Sequence, residues 1–479
     1  MDQPQKEPIP NRLYRFRPLT VVKPSIVDGK LVPGKTVIEE LEHQEIFVAR
    51  LDELNDPMDG LHHTVWDGDS VIWQNFMRSY ARCLLDAVCD VYIAGDTAPF
   101  DTGVIHTLKT PHDSPTGDYT ALYEDLVRRV ESNVELQDLF RALCRREKLH
   151  REELHALLSI HQVSFLREVS IALKAHMDMD LLSGLSDRPR TVDLGQLLEI
   201  LPQLDDRVLS VTGEVGHRTN EQLYLIERYN SRKSYSIGRD NLMRLVSMFP
   251  FYYLKAAAED IYGETYVASL SRSADDSSMW AHYAEQHRGI CLIFEPGDAE
   301  EHRVIEMENK EKFALYAIDY RDDPAEINFF ESLGKLSRSK IENGWIRLDG
   351  KASRLAAEYD DSYPARYWAR FREKVSRKFL NWKYEDEIRL VRDTQFTGSL
   401  GPEDRILQYR FDHLVGIVFG MKTPVEVQVR IMEVIERKLG EHPGKDFKFF
   451  KAGYSASQSR FGVHELGLLK FKPEVGSEE

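Results

Sequence analysis

A change of hydrophobic period partway along the chain restricts its fold more than any other feature of the sequence. Within residues 71–230, apolar residues recur at three- and four-residue spacings, as at Leu122 and Leu126, and this period predicts amphipathic helices. After this stretch, residues 266–271 alternate apolar and small polar side chains, and Leu414–Phe419 is an apolar run, which predicts strands. We therefore predict an α+β protein with a mixed or split β-sheet core, interrupted by a large, mostly α-helical insertion.

The positions of these patterns predict three segments. Residues 1–70 form the first part of the α+β core, residues 71–230 form the helical insertion, and residues 231–479 form the remainder of the core with a C-terminal strand–helix unit. The insertion is of domain size. A lid, a partner-binding module and a specificity element all remain open as its role.

Composition limits the kind of protein this is. The 479 residues carry a net charge of −16, from 63 basic and 79 acidic residues, and this charge repels a phosphate backbone at long range. The four cysteines include no Cys-x-x-Cys pair, which favours a reducing, cytoplasmic setting. No apolar run approaches the ~20 residues of a membrane span, and the polar first ten residues lack a signal-peptide core. We expect a cytoplasmic protein with no membrane partner.

The acidic block around Glu385 and Glu387 is the first candidate for chemistry. If it is a strand, these two residues and Arg389 share one face, with the carboxylates about 7 Å apart. Such a pair can stabilise a developing cation, and the proximity of like charges can raise one pKa. The alternative is a solvated strand face with an ion pair between Glu387 and Arg389.

Two further segments complete a set of candidate site residues. Residues 13–17 alternate so that Arg15 and Arg17 point one way, as in a half-exposed strand. The strand at 266–271 carries Ser269 and Ser271.

These residue types, in this order, resemble the arginine, Ser-x-Ser and Glu-x-Glu elements of ADP-ribosyltransferases. The resemblance implies that NAD is the substrate, that Arg15 holds its pyrophosphate or ribose, and that Ser269 fixes the nicotinamide ribose. It implies a fold-supporting role for Ser271. Glu387 would stabilise the oxocarbenium-like ribose, and Glu385 would orient the acceptor.

Two residues that follow the serine strand are also candidates for this pocket. Tyr283 is a candidate to stack on nicotinamide, and His282 is expected to be a polar pocket residue or a packing histidine with satisfied hydrogen bonds. His282 and His287 are five positions apart, so they do not share a helical face as a zinc pair would. The adjacent histidines His62 and His63 are only weak evidence for a metal site, and we predict no metal.

Longer blocks of sequence resemble a bacterial family of unknown function that is common in mobile and defence-associated gene neighbourhoods. The resemblance spans most of the chain outside the insertion. The blocks are Tyr14-Arg15-Phe16, Asn55-Asp56-Pro57-x-Asp59, the segment from Met279 to Phe294, Trp382-x-Tyr384-Glu385-x-Glu387-x-Arg389, and Val415 to Gly420.

A basic stripe gives a hypothesis about partners. Arg366, Arg370, Lys374 and Lys378 recur every four residues in a segment predicted to be helical. The stripe is predicted either to receive phosphates of a nucleotide or nucleic-acid acceptor or to be a solvated helix face.

Three functional hypotheses follow. The first is an NAD-dependent ADP-ribosyltransferase-like or NAD-cleaving enzyme acting on a small nucleotide, as a bacterial toxin or phage-defence effector. The second is a metal-dependent nuclease that uses Asp56, Asp59, Glu385 and Glu387. The third is a non-catalytic sensor or interaction protein whose insertion binds a partner.

Overall fold

Strand segments spread along the chain pair into one 11-stranded sheet. The strands are β1 (Leu13–Arg17), β2 (Ala49–Arg50), β3 (Thr265–Ser271), β4 (Ile290–Phe294), β5 (Gly297–Ala299), β6 (His302–Glu306), β7 (Lys312–Ala317), β8 (Glu387–Asp393), β9 (Leu414–Phe419), β10 (Lys448–Ser455) and β11 (Arg460–Glu465). Their order across the sheet is β5-β6-β7-β8-β3-β1-β4-β9-β10-β11, and β2 also pairs with β3. Neighbouring strands are antiparallel except β9 and β10, which are parallel.

This structure is a computed structural model. It describes residues 8–22, 25–27, 30–32, 35–60, 62–94, 105–110, 113, 117–146, 148–179, single positions between 211 and 229, 245–262, 264–299, 302–323, 325–393, 400–457 and 459–469. The chain divides into two units. The first comprises Met1–Leu61, Gly263–Ala325 and Phe371–Glu479, and the second comprises His62–Tyr262 and Glu326–Arg370.

The main sheet of the first unit is buried on both faces. Leu13, Leu292 and Leu390 belong to the core on one face, whereas Phe16 and Trp280 belong to the core on the other. This unit also contains helices Val37–Glu42, Ser277–Tyr283 and Val425–Glu441, and 3-10 helices Leu51–Glu53, Leu380–Glu385 and Phe411–His413. Short strand pairs join Thr20–Val22 to Lys35–Thr36, Ser25–Val27 to Lys30–Val32, Glu45–Phe47 to Ile406–Gln408, and Asp319–Tyr320 to Arg377–Lys378.

The described part of the second unit is mainly helical. Its α-helices are Ser70–Ala94, Gly117–Ser132, Val134–Cys144, Arg151–Met177, Phe249–Asp260 and Arg338–Ile341, and the helix Tyr363–Val375 contains the boundary between the units. Shorter elements are strands His62–Trp66, Leu149–His150, Ala325–Asn328, Arg347–Leu348 and Lys351–Ala352, 3-10 helices Phe329–Glu331 and Arg354–Tyr359, and the π-helix Glu342–Ile346.

The predicted α+β class is confirmed, with mixed and antiparallel sheets and many helices. The three predicted segment boundaries stay predictions. The sequence pattern predicts that residues 326–370 belong to the remainder of the core, whereas the structure has them in the second unit. Much of the predicted insertion between residues 180 and 244 lies outside the described residues.

Among the described residues, one helix, Arg151–Met177, is long and apolar enough to cross a membrane by length and composition. Of the most apolar 18-residue stretch of this helix, 67% is buried inside the protein. A core helix of a soluble protein has the same properties.

Candidate functional site

Three strands that carry candidate residues are neighbours in the sheet, in the order β8, β3, β1. Ser271 lies opposite both Glu387 and Tyr14, and Ser269 lies opposite Arg389. Residues directly opposite on neighbouring strands share a face of the sheet. One face therefore carries Tyr14, Ser269, Ser271, Glu387 and Arg389.

The sequence pattern predicts Glu385 and Glu387 on one regular strand, but the structure does not have them there. Glu385 ends the 3-10 helix Leu380–Glu385, Asp386 has a φ of +42°, and β8 begins at Glu387. The left-handed backbone at Asp386 turns the chain between the two carboxylates. Both then contact the ammonium of Lys378, at 2.6 Å from Glu385 Oε2 and 3.2 Å from Glu387 Oε2.

Arg389 forms the fully buried centre of this group. Its guanidinium donates to both carboxylate oxygens of Asp59, with Nη1 at 2.7 Å from Oδ1. It donates to Glu387 through Nε at 2.8 Å and Nη2 at 3.0 Å, and Nη1 also donates to the Val375 carbonyl at 2.9 Å. All five guanidinium N–H groups are thus satisfied, which makes the placement of Arg389 rigid.

Lys378 joins the three acids. Besides Glu385 and Glu387, its Nζ lies 3.5 Å from Asp59 Oδ2, and it lies 5.0 Å from the centre of the Trp382 ring. Burial would lower the pKa of Lys378, but the three carboxylates outweigh it and raise the pKa. We call the five residues Asp59, Lys378, Glu385, Glu387 and Arg389 the charge cluster; all five are buried.

Burial and charge separate the two glutamates in pKa. Burial alone would raise the pKa of Glu387, but the charges of Arg389 and Lys378 outweigh it and lower the pKa to about 2. The side chain of Ser269 also hydrogen-bonds to Glu387. At Glu385 burial dominates and raises the pKa, although Lys378 and Tyr283 partly oppose it. Glu387 is therefore a fixed negative charge, whereas Glu385 is the cluster carboxylate that takes up a proton more readily.

Two tyrosines and an asparagine extend the charge cluster. The half-buried Tyr283 donates its hydroxyl proton to Glu385 Oε1, and the side chain of Asn55 also hydrogen-bonds to Tyr283. The Tyr320 hydroxyl accepts the backbone N–H of Glu387 at 2.8 Å. The predicted pocket residue Tyr283 thus touches the predicted catalytic residue Glu385.

Arg15 does not join them. Its partner across the sheet is Leu292, which belongs to the core on the face opposite Tyr14 and Glu387. Its guanidinium donates to the carbonyls of Ser269 (3.4 Å) and Phe47 (3.2 Å), and burial lowers its pKa to about 10. The strand is not half-exposed as predicted, because β1 lies between β3 and β4 in the middle of the sheet. The structure places Arg15 on the face opposite Glu387, and its predicted role in holding NAD stays a prediction.

The side chains of His282, Ser271 and His287 do not belong to the charge cluster. His282 is exposed, with its ring centre 6.2 Å from that of Tyr384. The Ser271 hydroxyl is buried and accepts the backbone N–H of Ser273 at 3.3 Å. His287 is half-buried and stacks on Trp280 at 6.5 Å between ring centres.

The predicted basic stripe is not continuous. The helix Tyr363–Val375 ends before Lys378, which points into the charge cluster instead. Arg366 contacts Glu358 and Asp360, and Arg370 contacts Glu331 at 2.6 Å. These acids already neutralise two of the four cations, so the placement favours ion pairing within the protein over phosphate binding.

The acids proposed for a metal site already contact other groups of the protein. Asp59 and Glu387 bind Arg389, and Asp56 Oδ1 accepts the backbone N–H of Met58 at 2.9 Å. Within the described parts of the chain, no group of three or more His, Cys, Asp or Glu residues is arranged to hold a metal ion.

Sequence reasoning missed the way this site is joined. It treated Asp59 as a candidate metal ligand, Lys378 as part of a helical stripe and Arg389 as the partner of one glutamate. The available signal was the presence of Asp59, Glu385, Glu387 and Arg389 in the blocks of the unknown-function family, whose charged residues the structure brings together.

Comparison with known proteins covers part of this site. Residues 279–390 match the family DUF2971, a protein family of unknown function. The matched segment contains Tyr283, Lys378, Glu385, Glu387 and Arg389. No curated protein and no solved structure matches the chain. The predicted similarity to a family of unknown function is confirmed for this segment, and the similarity to ADP-ribosyltransferases stays a prediction.

Proposed function

We propose that the face of the sheet around Glu387 cleaves the bond between nicotinamide and ribose in NAD and passes the ribosyl group to an acceptor or to water. The observation that carries the proposal is the buried carboxylate of Glu387, which hydrogen-bonds to Ser269 and is held by Arg389, whose charge keeps the pKa of Glu387 low despite its burial. Cleavage of this bond builds positive charge on the sugar, and a fixed carboxylate stabilises that charge without reorganisation.

The two glutamates divide the work in this proposal. Glu387 faces the developing cation, and Glu385 removes a proton from the acceptor, because burial raises the pKa of Glu385 and makes it the more basic of the two carboxylates. Tyr283, which is held by Glu385, contributes its ring to nicotinamide binding. Tyr14 replaces Arg15 as the β1 residue that faces the substrate, since Tyr14 shares its face with Ser271 and Glu387.

Nicotinamide release from NAD by the purified full chain tests the proposal. Removing the electrostatic stabiliser in Glu387→Gln is expected to lower the rate by about 100- to 1,000-fold. Glu426→Gln, on an exposed helical position, is the matched control and should retain the wild-type rate. A chelator should change neither rate. Absence of nicotinamide release from the wild type, or a fully active Glu387→Gln, would overturn the proposal.

Loss of the fold must be separated from loss of chemistry, because Glu387 is buried among charges. Tyr283→Phe removes one hydroxyl and keeps the ring, so it should fold, as judged by its thermal unfolding curve. We expect Tyr283→Phe to cleave NAD more slowly because Glu385 loses a hydrogen bond.

A further inference from the structure

The charge cluster has one negative charge too many. Its three carboxylates face only two cations, and each carboxylate is within 4 Å of at least one of them. An unbalanced charge in a buried site is costly. The cluster therefore favours one more positive charge, supplied either by a proton or by a ligand.

Glu385 is the place where that charge is added. Asp59 and Glu387 each accept two hydrogen bonds from Arg389, whereas Glu385 accepts none from it. Glu385 is held by Lys378 and by the neutral hydroxyl of Tyr283. Burial raises the pKa of Glu385, so protonation is least costly there.

Within the described residues, the ionisable groups around Glu385 come from several packed elements. Tyr283 comes from the helix Ser277–Tyr283, Lys378 and Tyr320 from the strand pair Asp319–Tyr320 and Arg377–Lys378, Tyr384 from its own 3-10 helix, Glu387 and Arg389 from β8, and Asp59 from the turn after Leu51–Glu53. The pKa values of the three tyrosines are raised by burial, so these phenols are neutral. The net charge of the charge cluster therefore changes when Glu385 gains or loses a proton.

We propose that, at acidic pH, Glu385 carries a proton in the free protein and loses it when a monocationic pyridinium ring binds beside Tyr283. This inference rests on the proposed function, since it specifies the charged form of the NAD ring as the ligand. The exchange conserves charge: one ligand cation enters, and one proton leaves the Glu385 carboxyl for solvent. The ring of Tyr283 adds a cation–π contact with the incoming cation.

The consequence is a binding affinity that depends on pH. A ligand that displaces a proton binds more tightly as the pH rises, by about tenfold per pH unit while Glu385 is protonated in the free protein. The affinity becomes constant once Glu385 is ionised. A neutral ring of the same shape releases no proton and shows no such rise.

Calorimetric titration of the full chain with two small probes tests this. The probes are 1-methylnicotinamide, a pyridinium monocation that is methylated on the ring nitrogen and lacks the scissile sugar bond, and neutral nicotinamide. Titrations in two buffers with different ionisation enthalpies count the protons released. We expect one proton per bound 1-methylnicotinamide at acidic pH and none with nicotinamide.

Two variants locate the proton. Glu385→Gln should bind 1-methylnicotinamide without proton release and with a flat pH profile, whereas Glu426→Gln should match the wild type. Failure of the wild type to bind the cation, binding without proton release, or proton release that persists in Glu385→Gln would overturn the inference. Nicotinamide release from NAD without proton-linked binding would retain the proposed function and reject this inference. Proton-linked binding without NAD cleavage would retain this inference about Glu385 and reject the proposed cleavage of NAD.

Discussion

At the scale of single residues, Glu385 and Glu387 show how surroundings give two identical side chains different properties. Glu387 has a permanent guanidinium partner in Arg389, and its pKa is lowered to about 2. Glu385 has a phenol and a shared ammonium, and its pKa is raised. Environments that move the pKa values of paired groups apart are typical of acid–base sites.

The lowered pKa of Glu387 predicts a specific acid sensitivity. Ionised Glu387 contributes its full stabilisation above its ordinary pKa of 4.5, and this contribution is lost as the pH falls towards 2. The loss is on the order of 3 kcal/mol in the free energy of unfolding. Glu387→Gln should be less stable at neutral pH and should show a shallower decline over this window, measured by urea unfolding at a series of pH values. The same decline in the variant as in the wild type would contradict this assignment.

At the scale of elements, the link between helix Ser277–Tyr283 and β4 is a left-handed turn. Glu285, Gln286 and His287 all have positive φ values, +47°, +54° and +68°, which L residues adopt at a cost. Hydrogen bonds hold the turn, including His287 N–H to the Trp280 carbonyl at 3.1 Å. Such strain persists only where the surroundings determine it, and here it immediately follows Tyr283.

Gly289 makes this link possible and provides a prediction. A Cβ atom at Gly289 would lie 2.1 Å from the Arg17 carbonyl oxygen, a contact with backbone that cannot be relieved by a side-chain movement. Gly289→Ala should therefore lower the free energy of unfolding by about 3 kcal/mol or more. Thermal or urea unfolding of the purified variant measures this.

Gly440→Ala is the matched control. Nothing lies within 4 Å of a Cβ at Gly440, which is in the helix Val425–Glu441. The higher helix propensity of alanine should stabilise this variant by up to about 1 kcal/mol. Equal stabilities of the two alanine variants would refute the steric account of Gly289.

At the scale of the whole molecule, each unit is assembled from separated parts of the chain. In the second unit, Trp73 packs against Phe330 at 5.2 Å between ring centres. Asn75 donates to the Trp345 carbonyl at 2.7 Å. The core of this unit thus depends on residues 326–370 as well as on the longer helical segment.

This dependence predicts the behaviour of fragments. A fragment of residues 62–262 lacks the aromatic residues that cover Trp73, so it should unfold without a sharp thermal transition. The same fragment joined to residues 326–370 by a flexible linker should unfold cooperatively. Circular dichroism melting curves compare the two, and a cooperative transition at the same temperature in both would show that residues 326–370 are dispensable.

The sequence predicted those elements whose patterns are local. The apolar run Leu414–Phe419 is β9, and the helix Val425–Glu441 follows it, as the predicted C-terminal strand–helix unit requires. The alternation of residues 13–17 also holds, with Tyr14 and Phe16 on one face. Period and capping are encoded by near neighbours, so one sequence suffices to find them.

By itself, the sequence therefore determined the α+β class, the main local elements and the acidic pair as a candidate site. Only the tertiary structure decided which groups meet. Arg15 faces away from Glu387, and Lys378 lies outside its predicted helical stripe. Asp59 contacts Arg389, which is 330 positions away in the sequence. The physical reason is that strand pairing and register choose the partners of each face, and these depend on contacts distant in sequence. Burial then sets the charge state of each carboxylate, which no local pattern specifies.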